Sequence, residues 1–379
     1  MLMQVVFWMS VLFVGYAYAG YPLLLVILSI FRNHPVRQAN FFPTVSFIIT
    51  AYNEEARIRE KIENTLQQNY PPDCLEIVIA SDCSTDRTDD IVRSYESRGV
   101  RLLRATDRNG KEAAQKLAVE STSGAILVFS DVATLLSSGG VRHIVKNFSD
   151  PTVGCVSSVD RLINPDGRTS GEGAYVKYEM LLRRLETRVN TLVGLSGSFF
   201  AARREVCQPW AADLQSDFNT LLNAVKSGLR GVSDPDSIGH YKNLSDERKE
   251  YERKVRTVLR GISVLMKSLT MLNPFKHHLF SWQLFSHKLC RWLVPFAMIF
   301  AFVSNLLLIP SSALYQYTFG CQVAFYAIAL AYVWVKWLPK KAMLRIPSFV
   351  LMANLSILDA WYRYVRGERI FGWDPSKRY

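Results

Sequence analysis

Three acidic residues stand where apolar runs give way to polar ones. Glu54 follows residues 45–50, Asp82 follows residues 76–80, and Asp131 follows residues 125–130. One such acid alone is accounted for as a helix N-cap, its carboxylate accepting from backbone N–H groups. Three at successive run ends point to a ligand that needs fixed acceptors: a ribose, a base edge or a metal-bound pyrophosphate.

The elements that must position these acids follow from periodicity. Val45-Ser46-Phe47-Ile48-Ile49-Thr50 reads as a buried strand ended by polar residues. A charge-rich helix follows over 54–68 and is broken at Pro71-Pro72. Residues 76–80 form a second strand, another helix starts near Asp86, and 100–104 and 125–130 give two more strands. This alternation predicts an α/β fold with a doubly wound, mostly parallel sheet. Ligands of such sheets bind beyond the carboxyl ends of the strands, which is where the three acids lie. Further on, 172–188 has helical periodicity, and Asp217 stands where it could cap a helix over 218–226.

The 379 residues suffice for one catalytic domain plus membrane segments. Apolar residues concentrate at the N-terminus and after residue 290, leaving a charged, soluble stretch between. The net charge of +12 suits positive flanks on membrane segments, anionic headgroups and phosphate-bearing substrates. No basic stripe interleaved with aromatics and no nucleic-acid motif is present, so nucleic acid is not expected as a partner. The six cysteines Cys74, Cys83, Cys155, Cys207, Cys290 and Cys321 form no C-x-x-C pair and have no His cluster beside them. They read as free thiols of a reducing compartment rather than zinc ligands.

Residues 5–31 are almost continuously apolar and uncharged. As a helix the run reaches roughly 40 Å, enough to cross a bilayer with tilt. Ala17-Tyr18-Ala19 resembles a signal-cleavage site, but no Lys or Arg precedes the run and the run continues past it, which favours an anchor. Arg32, His34 and Arg37 then put the following domain on the cytoplasmic side. Apolar blocks at 292–310 and 315–337 predict a hairpin, with Lys336, Lys340, Lys341 and Arg345 crowding its far end. The stretch 346–361 is shorter, holds Asp359 and precedes a basic tail of Arg363, Arg366, Arg369, Lys377 and Arg378. It reads as an interfacial or re-entrant helix. Between 259 and 291, Lys267, Lys276, His277, His278, His287, Lys288 and Arg291 alternate with Leu, Phe and Trp. That mixture suits a membrane–water boundary, or else ordinary surface helices. The expected division is an anchor over 1–35, a soluble domain over 44–258, interface helices over 259–291, a hairpin over 292–338 and a tail region over 339–379.

Seven ordered motifs carry a resemblance. Thr50-Ala51-Tyr52-Asn53-Glu54-Glu55 is similar to the P-x-x-N-E opening of family 2 glycosyltransferases, and Ala80-Ser81-Asp82-Cys83-Ser84-Thr85-Asp86-Arg87-Thr88 to their D-D-x-S-x-D-x-T element. Asn109-Gly110-Lys111-Glu112-Ala113-Ala114-Gln115 resembles their G-K-x-x-A-x-N segment, and Phe129-Ser130-Asp131-Val132-Ala133 occupies the place of D-x-D. Residues 194–204 resemble G-x-x-G-x-x-x-A-x-R-R, Leu214-Gln215-Ser216-Asp217-Phe218 falls at T-E-D, and 252–257 at Q-x-x-R-W. The likeness runs from about Val45 to Gly261.

The resemblance implies a GT-A-type fold and an inverting transferase that takes a sugar from a UDP-linked donor. Ala51, Asn53, Glu54, Asp82, Lys111, Asp131, Arg253 and Arg256 are the implied donor-binding residues. Within that set Asp82 would meet the base, Glu54 the ribose, and Lys111 and Arg256 the diphosphate. Asp131 would hold Mg²⁺ or Mn²⁺, Ser196 and Gly197 would face the acceptor, and Asp217 would be the general base, with Asp213 as the other candidate. Ser81, Ala133 and Ser216 replace three motif acids, and Arg253 and Thr257 replace the Gln and Trp of the acceptor motif. The implied setting is an inner cell membrane with its lipids as partners. The acceptor is a growing cell-surface polysaccharide or, alternatively, a lipid-linked acceptor given one sugar. A polymer path through so few spans would need a homo-oligomer. A catalytically inactive scaffold of the same fold is the remaining alternative.

Overall fold

A computed structural model describes residues 1–163, 174–242, 247–334 and 342–370. Lys336, Lys340, Lys341, Lys377 and Arg378, used above for topology, lie outside the described residues. The chain forms two compact units. One comprises the described residues within 25–245 and 267–280; the other comprises those within 1–24, 247–266 and 281–369.

The first unit is built on an eight-stranded sheet: β1 (Val45–Ala51), β2 (Leu75–Ser81), β3 (Val100–Arg104), β4 (Ile126–Asp131), β5 (Leu135–Leu136), β6 (Val153–Ile163), β7 (Phe199–Arg203) and β8 (Arg230–Lys242). Their order is β3-β2-β1-β4-β7-β6-β8-β5. The first half is parallel, as the alternation predicted. β7 enters antiparallel between β4 and β6, β6 runs parallel to β8, and β5 is antiparallel to β8, so the sheet is mixed. Every residue of β1 is buried. Val45, Phe47, Ile49 and Ala51 pack into one core and Ile48 into the other, the period of two that a doubly covered strand requires.

Register aligns the functional edge. Thr50 lies beside both Ala80 and Asp131, and Ala51 beside Ser81, so the three acid-bearing strand ends are level. The helix expected from 54 begins at Ile58 instead. Residues 53–57 are drawn into the edge: Asn53 takes a φ of 50°, and Glu54 is tied to Arg57. The helix at 217 opens at Ser216, with Asp217 in its first turn.

The second unit is helical. Leu2–Phe31 and Leu279–Ser311 are long and apolar enough to cross a membrane. Pro22 removes a backbone donor from the first, which widens to π geometry over Tyr16–Gly20. Phe7 packs with Ala301, Leu308 and Tyr315, while Tyr16 Oη meets Ser286 Oγ at 2.6 Å. The helix Leu279–Ser311 runs unbroken through the boundary expected near 291. Ala313–Trp334 is the next helix, from which Thr318 and Gln322 each approach the Asn305 amide to 3.1 Å. Ala342–Val365 is a helix of 24 residues in which Arg363 pairs with Asp359.

Candidate active site

The edge beyond β1, β2 and β4 gathers charge in an ordered way. Asp82 caps the loop before the helix Lys111–Ser121: Oδ1 accepts from Asn109 N at 3.0 Å and Gly110 N at 3.1 Å, and Oδ2 from Gly110 N at 3.0 Å. Its own N–H donates to the Ala51 carbonyl at 2.9 Å. Burial raises the Asp82 pKa, and the two loop N–H groups oppose that shift. Gly110 needs its φ of 92° to deliver the chain into the helix. Lys111 is therefore aimed inward. Its Nζ donates to Asp131 Oδ1 at 2.5 Å and to the Gly197 carbonyl at 3.0 Å.

Glu54 is buried and held by Arg57, whose Nε and Nη2 each donate to it at 2.8 Å. Burial raises its pKa first, Arg57 counters, and the charges of Asp131 and Asp86 raise it further, so these carboxylates share one field. Asn53 spends its amide on the neighbouring loop: Oδ1 accepts from Thr85 N at 2.8 Å and Nδ2 donates to Thr85 Oγ1 at 3.1 Å. Ser81, where the resemblance has an acid, donates to Asp89 at 2.6 Å, and Asp89 also pairs with Arg104. A carboxylate from eight residues along the chain thus contacts the position of the missing motif acid. At the rim, the Arg108 guanidinium lies 3.9 Å from the centre of the Tyr52 ring.

The loop 196–198 joins the remaining parts. Ser198 O accepts from Asp131 N at 3.0 Å, and Gly197 O from Lys111. A Cβ on Gly197 would stand 2.8 Å from Asp217 Oδ2, so Asp217 is packed directly against this loop. Asp217 Oδ1 accepts from Phe218 N at 2.7 Å and Oδ2 from Gln215 Nε2 at 3.2 Å. Asp213, the other candidate base, is ion-paired with Lys267 and held below the usual carboxylate range by it. Gly197→Ala tests this packing. Only a side-chain tip obstructs the methyl group, so the protein still folds and the Asp217 carboxylate turns. The expected result is a turnover number about 10²-fold lower with donor KM little changed, read by steady-state kinetics.

Seven of the implied donor and acceptor residues other than Asn53 meet at this edge directly or through one another: Ala51, Glu54, Asp82, Lys111, Asp131, Ser196 and Gly197. Arg253 and Arg256 sit on the helix Glu247–Lys267 of the other unit, Arg253 paired there with Glu250. Two residues escaped the sequence reading. Asp160, near the end of β6, accepts from Ser196 Oγ at 2.8 Å and Ser198 Oγ at 2.6 Å and so fixes the loop. The strand-end acid rule that found Asp131 also fits Asp160. Lys61 is wholly buried, with Nζ donating to Ser130 Oγ at 2.8 Å and Thr134 O at 2.5 Å. Burial lowers its pKa to about 7, against the pull of Asp131. Its place on the apolar stripe of Ile58, Ile62 and Thr65 was the visible signal.

Among the described residues no three His, Cys, Asp or Glu side chains converge to hold a metal ion. Asp131 offers one carboxylate, Ala133 none. That donor set fits a hard cation arriving with phosphate oxygens of its own and keeping waters, rather than one caged by protein.

A parallel half-sheet with three acids level at its carboxyl edge, and with Lys111 and Asp217 on either side of the loop 196–198, is the arrangement expected of a glycosyltransferase of GT-A type. Residues 46–209 match the model of Glycosyl transferase family 2, so the chain carries a domain of that family. A beta-monoglucosyldiacylglycerol synthase of Nostoc sp. is 25% identical over 225 residues, covering 57% of this chain and 48% of that protein. The chain thus spans about half the length of that curated relative. A hyaluronan synthase of Pasteurella multocida is 31% identical over 136 residues, 35% of this chain and 14% of that one. In fold, the chain resembles a mannosyltransferase from Pyrobaculum calidifontis solved with GDP-Man and Mn²⁺. The TM-score is 0.73 at 23% identity, over 97% of this chain and 100% of that one.

Proposed function

We propose that the chain is an inverting transferase that moves one sugar at a time from a nucleoside diphosphate donor to a hydroxyl of a membrane-held acceptor, on the cytoplasmic face. The observation that carries the reading is the junction at Gly197, where the diphosphate-facing Lys111 and the base Asp217 meet one glycine from two sides. Asp217 takes the proton of the acceptor hydroxyl as that oxygen attacks the anomeric carbon. The bond to the leaving diphosphate breaks with its electron pair, and the configuration inverts. Lys111 offsets charge developing on the diphosphate, and Arg256 is assigned the same role by the family resemblance. Asp131 would hold Mg²⁺ or Mn²⁺, which supplies Lewis-acid neutralisation of the diphosphate. Asp82 and Glu54 are assigned to the nucleoside, and UDP-sugars are the first donors to test.

Single addition to a lipid-type acceptor is favoured by Thr257 and Arg253 in place of the polymerase motif, and by the likeness to a glycolipid synthase. Polymer extension is the second reading, favoured by the likeness to a hyaluronan synthase. Detergent-solubilised full-length protein given a panel of UDP- and GDP-sugars with Mn²⁺ should release diphosphate from one donor and label a lipid extract with one sugar. A ladder of products would turn the reading to polymer synthesis; no release from any donor would sink both.

A further inference from the structure

The segment before the helix Leu279–Ser311 combines features that no step above uses. Phe275 is 91% exposed and Leu269 51%. Lys276 and His278 are exposed beside them. Asn273 caps the turn Pro274–His277, its side chain accepting from Phe275 N, so the ring is presented on a fixed turn. The charged groups acting on His277 are Lys276, Lys226 and His278, all basic; burial and these neighbours lower its pKa. Asp213, an acid of the same unit, is already paired with Lys267. His278 is followed directly by Leu279, the first residue of a run long enough to cross a membrane. Lys226 is exposed in the last turn of the helix Ser216–Lys226, whose first turn carries Asp217.

We propose that this surface docks on anionic phospholipid headgroups, with Phe275 entering the bilayer interface and Lys226, Lys276 and His278 on the headgroup phosphates. The docking steadies the helix that bears the base. Charge complementarity and the direct chain connection to Leu279 argue for this occupant over a protein partner. Aromatic rings and basic side chains settle together at the headgroup level. An exposed ring next to cations, with no acid among the groups acting on His277, has no comparable use in water. A helix of 11 residues is roughly 16 Å long, so the membrane contact and the base lie at opposite ends of one short rod.

The inference rests on the membrane setting proposed above, and the two fail differently. Full-length protein is reconstituted in nanodiscs of phosphatidylcholine alone or with about 30% phosphatidylglycerol, and diphosphate release is followed. The wild-type rate should rise about 3- to 10-fold with the anionic lipid, and the rise should vanish near 0.5 M salt, where charge is screened within roughly 4 Å. The variant K226Q/K276Q/H278Q should keep the phosphatidylcholine rate and lose the rise. Phe275→Ser, at an exposed position that folding does not use, should lose most of it as well. Equal wild-type rates in the two lipids, or a triple variant that still responds, would overturn the docking surface. An acidic protein as the true partner would appear as indifference to lipid. Protein that alkaline carbonate strips from membranes would instead overturn the membrane setting itself.

Discussion

Asp217→Asn lowers the turnover number by about 10²- to 10⁴-fold and leaves donor KM within a few-fold of wild type. The amide keeps the size of the carboxylate and can still accept from Phe218 N through its oxygen, so the fold around it is preserved. What is lost is a group able to take the acceptor proton. Because Asp217 meets the loop 196–198 and not the Glu54 and Asp82 carboxylates proposed for the nucleoside, the donor is expected to bind as before. Steady-state kinetics with saturating donor separates the two effects. A variant with wild-type turnover would move the base elsewhere, and Asp213→Asn would then be the comparison to make.

Asp131→Asn has the second large effect, and it falls on the donor. The Asp131 carboxylate is bound by Lys111 at 2.5 Å and stands in the field of Glu54 and Lys61. Removing its charge leaves Lys111 with the Gly197 carbonyl alone among the partners described above, and removes the one carboxylate proposed for a cation. The expected loss in kcat/KM for the donor is on the order of 10²- to 10³-fold, or roughly 3–4 kcal/mol of transition-state stabilisation. A Mn²⁺ titration checks it: the variant should need far more Mn²⁺ for half-maximal rate than the wild type. An unchanged Mn²⁺ requirement would place the cation, if one is used, on other groups.

The parallel half of the fold was legible because each strand is short, apolar and closed by polar residues. β3 was read at its observed bounds, and β1 and β2 to within a residue at each end. β6 and β7 were not read as strands. Phe199–Arg203 lies inside a segment whose glycines and small residues matched a motif, and a motif carries no period of two. The antiparallel insertion of β7 depends on partners 69 to 77 residues away in β4 and 43 to 47 away in β6, which local pattern cannot supply. The site was legible where charge sits at strand ends. Asp160 obeys the same rule but lies on a strand that was not recognised. The replacement of a motif acid by Ser81 looked like a loss in the sequence. The fold brings the Asp89 carboxylate against Ser81, a contact that spacing does not reveal.

The crowding around Gly197 also limits how this chain can change. Any side chain at that position would enter the space of Asp217 Oδ2, and its carbonyl is already claimed by Lys111. Ser196 and Ser198 are held by Asp160. Variation in what the protein accepts is therefore expected outside residues 196–198, while the junction itself stays closed to evolutionary or designed drift. A library aimed at new acceptors is better spent outside that loop, although its nearness to the proposed base makes it look like the obvious target.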